Sequence, residues 1–289
     1  MISIASAMDE FDIAQEIRIE RQVHKGAFLL LEGQTDVNRF AEFVDDVECS
    51  IVNCYGRPKA IGAVEILYDE GFEGALAVVD ADFDRVLGSL KVHEGVIYSE
   101  GHDFDVDWAQ PEVIRRYLLE AGDDAKCAAL GGYNAIMTLV RESLKPISVA
   151  RYLNQRGNIR YRLSGIYIDR CYANMQVDID AYVALIFENR TPPQAEKDAV
   201  KGLIEQHSKA AFDLLQITNG HDFATALGVC LRDQLGARKI QQSYGSEVEM
   251  HVRLIFNDAH FKATRVYREI RIWEDANRPY IILDNRLRQ

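Results

Sequence analysis

Ala75-Leu76-Ala77-Val78-Val79-Asp80-Ala81-Asp82-Phe83-Asp84 is a short apolar run that ends in carboxylates at alternate positions. An unbroken apolar run of this length reads as a strand buried on both faces, as in parallel sheets. An earlier stretch, Phe28-Leu29-Leu30-Leu31-Glu32-Gly33, has the same form with one acid. Open α/β sheets bind ligands beyond the carboxyl ends of their strands. Two buried strands that both end in acids there predict a metal site, and hence an enzyme acting on phosphates.

The surrounding pattern supports a sheet. Residues 9–24 are charged and helix-like, a lead-in to the first strand at 27–31. Val37, Phe40, Phe43 and Val44 have helical spacing. A strand at 50–53 is ended by Tyr55 and Gly56. Pro58 suits a first helical turn, and Ile61, Val64 and Leu67 give that helix an apolar stripe. A fourth strand is expected at 95–99. Strands alternating with helices through short connections predict an α/β fold with a parallel sheet flanked by helices and right-handed crossovers. After Pro111 the pattern becomes mainly helical, with helices expected at 111–121, 124–144, 193–215, 222–235 and 246–256. Minor strands are expected near 163–168 and 279–283. The organisation read from this is a lead-in helix over 1–24, a metal-binding α/β domain over 25–110 and a mainly α-helical domain over 111–289.

The formal charge of −12 opposes a broad non-specific DNA-binding surface, which needs many Lys and Arg. Many acids fall between residues 32 and 107, where divalent metal could neutralise some of them. Basic residues gather elsewhere, at Arg115 and Arg116 and then at Lys145, Arg151, Arg156, Arg160 and Arg162. This second group reads either as a solvated helix face or as a track for a nucleic-acid backbone. The five cysteines are scattered and form no CxxC pair, so reduced thiols and a cytoplasmic setting are expected rather than a disulfide framework or a zinc site. No apolar run approaches the ~18 residues of a membrane span. The first residues lack a basic region before a long apolar core, so no secretory signal is expected.

Four acidic pieces could converge. Glu32 is followed by Gly33, which permits a tight turn and a close backbone approach to a phosphate. Asp36 lies four residues on, within reach of the same space. Asp80 and Asp82 are alternate residues, which on an extended segment point the same way and can share an ion. The segment Gly101-His102-Asp103-Phe104-Asp105-Val106-Asp107 follows the fourth strand. Oxygen ligands of this kind suit Mg2+ or Mn2+. Two such ions ~4 Å apart can activate water and stabilise a leaving oxygen. Glu32 could instead serve as a general base. Bland readings stand beside these. Asp84 could cap a turn, Asp103 and its neighbours could be a solvated loop, and His102 could be a hydrogen-bonding loop residue. His221 and Asp222 could belong to a helix cap. A calcium EF-hand loop fails, because Arg85 stands where it needs Gly and Lys91 where it needs Glu.

The residues at 28–36 and 75–84 resemble the Toprim domain, whose hallmark is Glu-Gly after the first strand and Asp-x-Asp after the third. Glu32-Gly33 and Asp80-x-Asp82 match in type, order and approximate separation over roughly residues 25–108. Asp36 matches a second acid found four residues after the Glu in the overcoming-lysogenization-defect nucleases. A narrower group, which includes the Toprim effectors of the PARIS anti-phage system, is similar further along the chain. His102-Asp103-Phe104-Asp105 resembles its His-Asp-x-acid segment, with Asp105 standing where Glu is expected. Gly220-His221-Asp222-Phe223, and Phe261, Thr264 and Tyr267, fit its later patterns.

The resemblance implies a metal-dependent nuclease toxin that cuts host tRNA, is held inactive by an ATPase partner and is released by a phage trigger. The active form is expected to be a homo-oligomer. Glu32, Asp80 and Asp82 would be catalytic. They would hold metal with Asp36 and Asp105. Gly33, Arg151 and Arg160 would bind substrate. A DNA nuclease or nickase of the same fold stays open, as does a non-catalytic Toprim module regulating a partner ATPase. Retention of the expected acids argues against the latter. An Asp-x-Asp sugar transferase would need a larger α/β domain before residue 80 than this chain has.

Overall fold

A computed structural model describes residues 8–237 and 245–288. Residues 1–7 of the lead-in segment, and residues 238–244 and 289 of the region expected to be mainly helical, therefore lie outside the described residues. Backbone contacts divide the chain into two compact units. The first comprises residues 1–81, 89–100 and 257–289, and the second residues 82–88 and 101–256.

The first unit is built on a four-stranded, all-parallel sheet. Its strands are β1 (Ala27–Leu31), β2 (Cys49–Asn53), β3 (Ala75–Val79) and β4 (Val96–Tyr98), in the order β2-β1-β3-β4. Every residue of β1 and β3 is buried, which accounts for their unbroken apolar character. The register pairs Leu31 with Asn53 and Val78, and Val79 with Tyr98. The residues after β1 and β3 therefore leave the sheet at one edge.

Helix α1 (Glu10–Glu20) starts with a capping box in which Asp9 accepts from Phe11 N and Asp12 N. Ile13, Ala14 and Ile17 of α1 pack with Ala60, Ala63, Val64 and Leu67 of α3 (Arg57–Asp69). They enclose Phe28 and Leu30 of β1 and Ala75, Ala77 and Val79 of β3. Between β1 and β2 lies α2 (Gln34–Phe40), which ends earlier than the apolar spacing through Val44 predicts. Val44 instead forms a bridge to Leu283, in the tail where a minor strand was expected.

The tail joins this unit through rings and one carboxylate. Phe261 stacks on Phe43 at 4.3 Å, and Trp273 Nε1 donates to the Tyr68 hydroxyl at 3.1 Å. Glu274, 4% exposed, accepts from Ile282 N and Leu283 N at 2.7 Å each and pairs with Arg271. Glu274→Ala would orphan two buried N–H groups, each costing about 1–3 kcal/mol. Urea unfolding of the first unit should show a loss of roughly 3 kcal/mol. Glu274→Gln keeps one oxygen acceptor and should lose less.

The second unit is mainly helical. Gly220–Cys230 is buried on nearly every side and packs against Gly245–Ile255. An apolar helix of this kind belongs in a core. The helix expected at 124–144 divides into Asp124–Ala129 and Tyr133–Ser143, because Gly131 and Gly132 take φ of +89° and +88°. The helix expected at 193–215 spans Gln194–His207, with a separate turn at Leu214–Ile217. No strand forms at 163–168. A two-stranded antiparallel ribbon, Tyr172–Ala173 with Gln176–Val177, lies just beyond it. Its turn residues Asn174 and Met175 have φ of +52° and +55°, as type I′ hairpin turns require. Among the described residues no helix is long and apolar enough to cross a membrane.

Candidate functional site

In the first unit, Glu32 follows the last residue of β1 and Asp80 the last of β3. The strands are neighbours, so the two acids leave the sheet side by side. Glu32 Oε1 accepts from Asp80 N at 2.7 Å, and Glu32 O accepts from Gly56 N at 2.7 Å. One carboxylate oxygen thus fixes the exit of β3, while the backbone of Glu32 fixes the approach to α3.

Arg57, at the start of α3, donates through Nη1 to Asp80 O at 3.2 Å and Ala81 O at 3.1 Å. Ser99, fully buried just past β4, accepts from Ala81 N at 2.8 Å. Sequence reading missed both residues. Gly56-Arg57-Pro58, two residues beyond a strand at the edge that carries the acids, was the available signal for Arg57.

Gly33 begins α2 with φ −160° and ψ 176°, an extended conformation open to any residue. Backbone geometry therefore does not demand glycine for the turn. A Cβ there would meet nothing within 4 Å, so the position offers open space for a ligand's approach. Asp36 lies in the first turn of α2 and pairs with the buried Arg39 at 2.8 Å. That ion pair holds its carboxylate on the helix.

Asp82 belongs to the second unit. The extended segment that would align it with Asp80 ends at Val79. Asp82 itself takes φ +46°, in the left-handed region that Asp tolerates better than most residues. Its N–H donates to His102 O at 2.7 Å, and its Oδ1 lies 3.9 Å from His102 Nε2. His102 is buried, against Phe83 at 4.5 Å between ring centres. Burial lowers its pKa, with Asp82 opposing that shift.

The acidic run at 101–107 separates into distinct roles. Asp103 Oδ1 caps the short helix Phe104–Trp108 by accepting from Val106 N at 2.8 Å, and its Oδ2 accepts from Gly220 N at 2.8 Å. Asp107 Oδ1 accepts from Gly101 N at 2.7 Å. Both hold the fold. Asp105 is half-buried beside Gly220, Phe223 and Glu249. The second Gly-His-Asp segment is structural as well. His221 pairs with Glu249, and Asp222 takes Arg151 in a two-pronged bridge at 2.6 and 2.9 Å. Asp84 begins the short helix Asp84–Leu87. Arg160 is exposed on the loop after Lys145–Gln155.

The arrangement favours oxygen-ligand chemistry over thiol chemistry. All five cysteines are buried and unbridged. Burial pushes the Cys54 and Cys171 thiols up to about 12, which keeps them protonated and poorly nucleophilic at neutral pH. Among the described residues no three His, Cys, Asp or Glu side chains are gathered so as to hold a metal ion by themselves. Mg2+ keeps several waters and is commonly held by one or two carboxylates together with substrate phosphate. The carboxylates at the sheet edge fit that demand in donor type and number. Known protein families were searched and none matches this chain, and no curated protein matches it either.

Proposed function

We propose that this protein is a metal-dependent nuclease of the Toprim type that hydrolyses phosphodiester bonds in RNA, with host tRNA as the substrate. In this reading it is a toxin effector of anti-phage defence, restrained by an ATPase partner and active as a homo-oligomer. The observation that carries the nuclease reading is the Glu32–Asp80 pairing at the carboxyl edge of an all-parallel sheet. The left-handed backbone at Asp82 adds to it, since unusual dihedrals gather at functional sites.

Glu32, Asp80 and Asp82 would hold Mg2+ or Mn2+, with Asp36 and Asp105 as further candidates. Bound there, a divalent ion supplies positive charge against the substrate phosphate and lowers the pKa of a water it holds. Glu32 has a second task, since its hydrogen bond to Asp80 N fixes where the Asp80 carboxylate begins. The Arg57 contacts to Asp80 O and Ala81 O hold the same turn from the other side.

The test incubates the purified protein with tRNA, single-stranded RNA and plasmid DNA, in Mg2+ or Mn2+ and in EDTA. We expect RNA fragments with metal and none in EDTA. Nicked plasmid beside intact RNA would move the substrate to DNA, and cleavage undiminished in EDTA would remove metal from the reading. An intact protein that cuts nothing, with or without a co-expressed partner ATPase, would favour a binding module.

A further inference from the structure

We propose that the second unit carries a cleft for single-stranded nucleic acid, with Arg160, Arg162 and Arg190 as phosphate contacts and Tyr161 and Tyr167 as base-stacking surfaces. The cleft lies between the loop at 160–170 and the end of the helix Ile179–Ile186, and its volume is about 620 Å³. That falls within the range of small-ligand sites, about 300–1,000 Å³, and is enough for an unstacked nucleotide.

The charge here runs against that of the whole chain. In a protein of net charge −12, this cleft is lined by four arginines and a single carboxylate, Glu188. Glu188 is already taken, because both its oxygens accept from Arg170, at 2.6 and 3.0 Å. The nearby Glu196 accepts from the Tyr161 hydroxyl at 2.7 Å. Among the described residues, no carboxylate lies within 4 Å of Arg160, Arg162 or Arg190 as an ion-pair partner. Three cations facing one concavity repel each other unless an anion enters.

Arginines alone would suit any polyanion, and the rings narrow the choice. Tyr167 is 73% exposed, so most of its ring is open to a stacking partner. Tyr161 is held in place by Glu196 and by edge-on packing with Phe187 at 4.9 Å, and the Arg190 guanidinium lies 5.8 Å from its centre. Cations that track a backbone, interleaved with aromatic faces, are the general solution for single strands. A duplex keeps its bases stacked and would leave the rings unused. An acidic peptide would match the arginines and leave Tyr167 uncovered.

As a substrate grip the cleft rests on the nuclease reading above; as a binding site it does not. The test is fluorescence anisotropy on the full-length protein in EDTA, so that binding is read without cleavage. The probes are fluorescein-labelled RNA and DNA 12-mers of one sequence, their duplex, and poly-glutamate as competitor. Binding of RNA, DNA or both single strands supports the cleft, and their ratio names the source. Arg160→Ala with Arg190→Ala should weaken binding by at least about tenfold. It should also flatten the salt dependence by about 1.4 in log–log slope, since each single-strand phosphate contact contributes about 0.7. Tyr167→Ala should cost about tenfold. Arg160→Lys with Arg190→Lys should keep most of the salt slope. Arg115→Ala with Arg116→Ala, an exposed pair outside the cleft, should bind as wild type does. Circular dichroism melting checks that each variant is folded.

Unchanged affinity in the folded cleft variants would overturn the proposal. So would an equal loss in the Arg115 and Arg116 variant, a wild type that binds neither single strand, or poly-glutamate displacing RNA charge for charge. Strand binding by a protein that cleaves nothing would keep the cleft and remove the nuclease. Cleavage that survives all cleft variants unchanged, beside lost strand binding, would keep the cleft as a binding site and remove its role as the substrate grip.

Discussion

Glu32→Gln should reduce Mg2+-dependent RNA cleavage by about three orders of magnitude while the protein melts as wild type does. The substitution separates two roles of one side chain. Glutamine keeps an oxygen that can accept from Asp80 N, the 2.7 Å bond that holds the end of β3. It removes the negative charge that a divalent ion needs, or the base that a water needs. Losing a group that acts on a proton or holds the ion costs on the order of 10²–10⁴ in rate. Asp80→Asn with Asp82→Asn should fall to the same floor, and adding Glu32→Gln should lower it little further, because residues that work as a unit are not additive. Glu32→Ala should also melt earlier, by about 1 kcal/mol of lost hydrogen bonding. The measurement is the single-turnover rate on labelled tRNA over a Mg2+ titration, beside a thermal melt. Folded variants that cleave at the wild-type rate would show that the chemistry lies elsewhere.

The sheet and its acidic edge were legible because both depend on local sequence. A strand buried on both faces must be apolar throughout, so 27–31 and 75–79 stand out, and the residue that ends each run leaves the sheet at a known edge. What was not legible depends on contacts distant in sequence. The acids at 103, 105 and 107 look alike in a row. Asp103 caps its own helix through Val106 N, but the arrival of Gly220 N at its Oδ2, 117 residues on, is invisible in the sequence. The close packing at Gly220 is equally hidden. A Cβ there would collide with Asp105 Cβ and come within 2.6 Å of Asp103 Oδ1, so its glycine follows from the neighbours and not from its own backbone.

The tail follows the same rule. Residues 257–289 belong with the first unit through Phe43, Phe261 and the Glu274 carboxylate, and no local pattern announces such partners. The alternation read at Asp80 and Asp82 lies beyond the strand, for a local reason. Periodicity of two holds only while the chain is extended, and the strand ends at Val79.

Arg151 separates a structural from a binding role most sharply, and Asp222→Ala should destabilise the second unit by about 3 kcal/mol or more. In sequence Arg151 reads as a phosphate grip within a basic cluster. In the structure its Nε and Nη2 meet Asp222 at 2.6 and 2.9 Å, and its Nη1 donates to Leu163 O at 3.3 Å. The side chains are 21% and 6% exposed, so the bridge is poorly screened by solvent. Removing one partner of a buried pair strands the other charge, which costs about 3–5 kcal/mol. A domain's whole stability is about 5–15 kcal/mol, so the loss should appear as a large fall in the unfolding midpoint. Arg151→Met should show a comparable loss. The double variant Arg151→Met with Asp222→Leu should recover much of it, because neither charge is then left buried alone. A phosphate-gripping Arg151 predicts the opposite result: near-normal stability in Arg151→Met, with weaker RNA binding and a flatter salt dependence. Urea melts and EDTA binding curves on the same four proteins decide between the two roles, and the two-pronged geometry favours the structural one.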